Sequence, residues 1–156
     1  MLRSLLSVLS VLVVACAGGT DSATLAQLQP VADVRQLMAH VLEPAAEVYW
    51  DAVGSTTDSS GTKEFAPSTD AEWEAIRNAA YVVAESGNLL MMPPRARDND
   101  DWTTFSRAMI DAAKQAIAAA NARDPQAVFD VGAVVYESCT QCHAKYAVEQ
   151  IRPNAR

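Results

Sequence analysis

Histidine is scarce in this chain: His40 and His143 are the only two in 156 residues. That leaves no room for a Ser-His-Asp centre or a histidine-rich hydrolytic metal site, and neighbouring carboxylates such as Glu72 and Glu74 read as solvated helix faces. Glycine is sparse too, with six residues. Alanine comes in runs and β-branched residues seldom alternate with polar ones, so helix is expected and sheet is not. Lys and Arg form no stripe able to track phosphates. Acidic residues outnumber basic ones 19 to 12, giving a net charge of −7; nucleic-acid binding is therefore not expected, and the acidity reads as solubility. No internal repeat is visible, which argues against a helical array. Apolar runs are short: Leu5 to Val14 cannot span a bilayer as a stable anchor.

That short run belongs to an export signal expected over residues 1–17: Arg3 supplies the positive start, the apolar stretch follows, and small residues end it. The ending Val13-Val14-Ala15-Cys16 resembles a bacterial lipobox, in which Cys16 takes lipid and becomes the first mature residue. Ala15-Cys16-Ala17 also fits ordinary small-x-small cleavage, which would release a soluble protein. Either cut puts residues 18–156, expected as one domain, outside the cytoplasm. The lipidated form would be periplasmic and held to a bacterial membrane.

Four segments of the remaining chain have helical periodicity. The first is expected from about Leu25 to Ala52, with Val31, Val34, Met38, Val41 and Leu42 on one apolar face. Pro30 falls near its start, and Pro44 should kink or restart it. Gly54 to Gly61 is rich in Ser, Thr and Asp and reads as a surface loop. Thr69-Asp-Ala-Glu72 has capping-box spacing and opens a second helix, lined by Trp73, Ile76, Ala80 and Val83 and stopped by Met91-Met92-Pro93-Pro94. Trp102, Phe105, Met109, Ala112 and Ala116 mark a third. Asp124-Pro125, a capping residue before a proline at the first helical position, opens the fourth. Four such stripes are buried most economically as an all-α, antiparallel four-helix bundle.

The fourth helix carries Cys139-Thr140-Gln141-Cys142-His143, which matches C-x-x-C-H, the signature of c-type haem attachment. Two cysteines three residues apart lie close together on a helix, so both can reach the vinyl groups of one porphyrin. His143 then directs its imidazole at the iron. A thioredoxin-like disulfide would require a βαβ pattern that is absent here. A zinc site would need about four ligands, with only His40 and carboxylates left to complete it. Haem attachment also resolves the odd cysteine count, since Cys139 and Cys142 become thioethers and Cys16 goes to lipid or is cut away.

With the motif near its C-terminus, a four-helix pattern and an export signal, the chain resembles the class II c-type cytochromes, the cytochrome c′ family. Cys139, Cys142, His143 and Tyr146 are similar to that family's ending, whereas Ala147 stands where a basic residue often follows. The resemblance implies a bundle over about residues 25 to 150, one covalently bound haem c, and a residue from the first helix facing the iron. Arg35-Gln36-Leu37-Met38 resembles that stretch, which makes Met38 the candidate distal ligand; a soft thioether raises the reduction potential. Met38 as plain core filler stays open. His40 lies about 200° around the helix from Met38 and cannot share its direction. Met91 and Met92 would ligate only if their helix end folds over the haem, and five-coordinate iron is a further alternative. Trp50, Trp73, Trp102 and Phe105 are expected in the core, and Tyr146 at the haem edge.

The expected function is therefore electron transfer with redox partner proteins rather than catalysis, and homodimer formation is left open. The alternatives are a five-coordinate binder of nitric oxide or carbon monoxide and a haem-free lipoprotein with a Cys139–Cys142 disulfide.

Overall fold

A computed structural model describes residues 28–148 of the chain. The export segment, Cys16 and the expected helix start at Leu25 lie outside the described residues. What is described is mostly helical, with four helices and one small two-stranded sheet.

Helix α1 is composite: an α-helical turn at Val34–Leu37, a π-helical turn at Met38–Leu42 and an α-helix at Glu43–Trp50. It starts later than its apolar pattern suggests. The Asp33 carboxylate accepts from the Gln36 N–H at 2.8 Å while the Gln36 side chain accepts from the Asp33 N–H at 3.0 Å. This reciprocal cap fixes the first helical residue at Val34. Val31 therefore precedes the helix and is 97% exposed, not part of its apolar face. Leu37, Leu42, Ala46 and Tyr49 are the buried residues of that face. Pro44 does restart the helix, through the π turn that precedes it.

The expected loop after α1 is instead an antiparallel hairpin, β1 (Gly54–Asp58) and β2 (Gly61–Phe65), pairing Gly54 with Phe65 and Asp58 with Gly61. Thr56, Thr57 and Thr62 favour extended backbone. A Ser59-Ser60 turn closes it, with Gly61 at φ 129°, where a side chain would be strained. The Ser/Thr/Asp composition kept the hairpin on the surface as expected, yet β-branching gave it a ladder.

Helix α2 (Asp70–Met91) opens on the Thr69/Glu72 capping box and ends before the two prolines. Helix α3 (Asp101–Ala122) begins where the Asp98 carboxylate accepts from the Trp102 N–H at 2.9 Å, and ends with Arg123 in a left-handed conformation. Helix α4 (Pro125–Tyr146) is capped by Asp124, which accepts from the N–H groups of Gln126 and Ala127.

The core fills the space between these helices. α2 and α3 pack along their length, as do α3 and α4, and α1 lies against α2. Small residues allow the closest approaches: Ala112, Ala113, Ala116, Ala119 and Ala120 of α3 are all buried. A Cβ on Gly87 of α2 would sit 2.9 Å from the Ser106 carbonyl of α3. Arg95 is also buried, where its guanidinium donates to the carbonyls of Ala32 at 2.9 Å and Leu89 at 3.2 Å. It ties the segment before α1 to the C-terminal turn of α2, whose carbonyls favour a cation. By contrast α1 and α4 touch only sparsely. Among the described residues no helix is long and apolar enough to cross a membrane.

Candidate functional site

A cleft of about 560 Å³ is lined by residues from all four helices. From α4 come Cys139, Cys142 and His143, from α1 Met38, Leu42, Ala46 and Trp50, from α2 Leu90, and from α3 Phe105 and Met109. Its volume lies within the range of small-molecule and cofactor sites, about 300–1,000 Å³. The surfaces are chiefly apolar, with Cys139, Cys142 and His143 contributed by α4 and Glu43 of α1 also in the lining.

Asp124 and Pro125 nucleate α4, and the helix then runs unbroken through the motif to Tyr146. This places Cys139 and Cys142 about one turn apart on the face turned to the cleft. Both thiols are free and half-buried. Burial pushes the Cys139 thiol above its ordinary range, and burial together with nearby Cys139 pushes Cys142 up to about 11. Redox-active cysteine pairs show the opposite behaviour, with thiolates stabilised by positive surroundings or a helix N-terminus. Here the pair sits near the C-terminal end of α4, where the helix dipole disfavours a thiolate.

The donor set fits a haem bonded through sulfur: two neighbouring thiols, an imidazole and a thioether open onto one apolar cleft. Among the described residues no three His, Cys, Asp or Glu side chains are grouped to hold a metal ion.

The other sequence-derived candidates fall in different places. His40 is exposed on α1 and does not line the cleft. Met91 and Met92 lie at the C-terminal end of α2, also outside it. Tyr146 is not among the lining residues; its ring packs edge-on against Trp102 at 5.0 Å and Phe105 at 6.3 Å, and its hydroxyl donates to Asp98. That bond holds the Asp98 carboxyl below the usual carboxylate range, helped by the Trp102 N–H, while burial and Asp98 raise the Tyr146 hydroxyl. Lys145 pairs with Asp101 alongside. The last turn of the motif helix is thus tied to the start of α3.

Two aromatic residues expected in the core instead meet the cleft, Trp50 and Phe105, while Trp73 and Trp102 are core. Met109 was visible in the sequence only as part of an apolar stripe, and the packing of α3 turns it to the cleft. A helical period shows which residues share a face, not which neighbour that face meets.

On the flank of this cleft, Trp50 and Tyr136 also border a more open groove of about 300 Å³, with Tyr49, Val53, Val128 and Phe129. It has no thiol or imidazole. The Tyr49 hydroxyl has no hydrogen-bond partner among the described residues, and burial pushes it up to about 12. No protein-family model, no curated protein and no solved structure matches the chain.

Proposed function

We propose that this chain is a c-type cytochrome of the class II kind, an exported electron carrier with one haem c. Cys139 and Cys142 would hold the haem through thioethers, His143 would bind its iron, and Met38 is the candidate for the opposite axial position. The observation that carries the proposal is the shared cleft, in which all four of these side chains meet an apolar lining.

The bound haem would supply a one-electron iron couple. The chain's own residues do the rest. Leu42, Ala46, Leu90, Phe105 and Met109 would give a bound haem an apolar surround, which is one means by which a protein sets a haem potential. The cap at Asp124 and the Tyr146–Asp98 bond hold the two ends of the motif helix in place. The two-residue connection Arg123-Asp124 supports an antiparallel α3–α4 pair, and with it the antiparallel four-helix bundle of the class II type. The Arg3-led signal and Cys16 support a periplasmic protein carrying a lipid anchor.

The apolar neighbours of Met38, namely Leu42 and Ala46, support a second reading: a five-coordinate iron whose open side takes nitric oxide or carbon monoxide.

The deciding experiment is the visible spectrum of the mature protein in both oxidation states, with intact mass and a pyridine haemochrome assay. A covalent macrocycle with low-spin iron and a sulfur-to-iron charge-transfer band supports the carrier. High-spin iron that takes up carbon monoxide supports the gas binder. A colourless protein of peptide mass alone ends both.

A further inference from the structure

From the π turn of α1 we infer that Pro44 is a positioning residue that aims Met38 into the cleft. The inference rests on the haem assignment for its purpose, though not for its geometry. Met38, Leu42, Ala46 and Trp50 all line the cleft, each four residues after the last. A straight α-helix would fan that spacing out around its surface. At 3.6 residues per turn each step of four drifts by about 40°, so the stripe would rotate by roughly 120° from the first residue to the last.

The π turn at Met38–Leu42 takes up part of this drift, because it packs more residues into its turn. Its mark is the hydrogen bond from the Glu43 N–H to the Met38 carbonyl, five residues back instead of four. Pro44 supplies the cause. It has no N–H to offer the His40 carbonyl, and its ring crowds that carbonyl, so regular α pairing is costly there. Widening the preceding turn relieves the crowding while Glu43–Trp50 stays helical. His40, on the opposite side of the helix with or without the widening, stays exposed and off the cleft stripe. Met38, 105 positions before His143 in the chain, is thereby kept on the stripe that lines the same cleft.

The test compares the full chain with its Pro44→Ala variant, each prepared with and without haem. In the haem-free proteins, NMR reads the Glu43 amide pairing and the Met38 ε-methyl resonance, with the Met109 methyl as internal reference. The expected result is five-residue pairing in the parent, four-residue pairing in Pro44→Ala, and a displaced Met38 methyl beside an unmoved Met109. In the haem-loaded proteins, Pro44→Ala should lose most of the sulfur-to-iron band and show a lower potential with haem content unchanged, as Met38→Ala should. If Pro44→Ala keeps five-residue pairing, or regains four-residue pairing with Met38 unmoved, the inference is overturned. It also fails if Met38→Ala abolishes the band and Pro44→Ala leaves it intact. Absence of covalent haem would instead defeat the functional proposal, while the NMR comparison still decides whether Pro44 aims Met38.

Discussion

The indole Nε1 of Trp50 donates to the Gly132 carbonyl at 3.0 Å, the hydrogen bond that joins α1 to α4 beside the cleft. Gly132 admits it by having no side chain, since a Cβ there would lie 3.3 Å from Trp50 Cδ1. Trp50→Phe keeps most of the apolar area and removes the donor, so it should cost about 1 kcal/mol. Gly132→Val should cost more, about 1–3 kcal/mol, by forcing the ring outward. Urea denaturation of both variants measures the difference, and an unchanged midpoint for Gly132→Val would show that α1 moves freely relative to α4.

Gly87→Ala tests the approach of α2 to α3. The new methyl would sit 2.4 Å from Ile110 Cγ1 and 2.9 Å from the Ser106 carbonyl. Overpacking of about 1–3 kcal/mol should outweigh the roughly 1 kcal/mol that alanine gains over glycine in a helix. Ile110→Ala in the same chain should restore only part of the loss, because the clash with backbone remains. Thermal denaturation of the single and double variants checks this.

Stability should fall at acid pH in part through the cap of α2. The Glu72 carboxyl is held below its ordinary range by the N–H groups of Ser68 and Thr69 and by their hydroxyls. A depressed folded-state pKa means that its contribution is present above the unfolded carboxylate value of about 4.3 and is lost as pH falls through the folded value. Glu72→Gln should therefore be less stable than the parent at neutral pH, with the gap closing below about pH 4. Denaturation midpoints across that window provide the measurement.

The link between the motif helix and α3 can be read from one carboxyl. Tyr146→Phe removes the hydroxyl that donates to Asp98, so the Asp98 pKa should rise toward the ordinary range. It should not reach it, because the Trp102 N–H still donates to that carboxylate. Carbon-13 NMR titration follows the shift, and an unmoved Asp98 would mean that the tyrosine contact is absent in solution.

Each cysteine of the motif should contribute one bond to the macrocycle. Cys139→Ala and Cys142→Ala should each retain haem through a single thioether, with the haemochrome band shifted, whereas the double variant should lose all covalent haem. Denaturing gel electrophoresis stained for haem distinguishes these outcomes. Two single variants with unaltered bands would remove the thioethers from the proposal.

Local chemistry made much of the chain readable in advance. Thr69 with Glu72, Asp124 with Pro125, and the paired prolines after Met92 mark helix boundaries because each acts on backbone within a few residues. The C-x-x-C-H motif is likewise local, and its residues share one turn-spaced face of α4 in any helical context. Tertiary packing alone decided what that face meets. It brought Met38, Phe105 and Met109 to the cysteines, left His40 in solvent, and drew Tyr146 onto Trp102 and Asp98. It is also at the level of backbone pairing that Thr-rich residues 54–65 became a hairpin and that the turn before Pro44 widened. Periodicity records an angle around one helix axis; the partner across a gap depends on where the other helices stand.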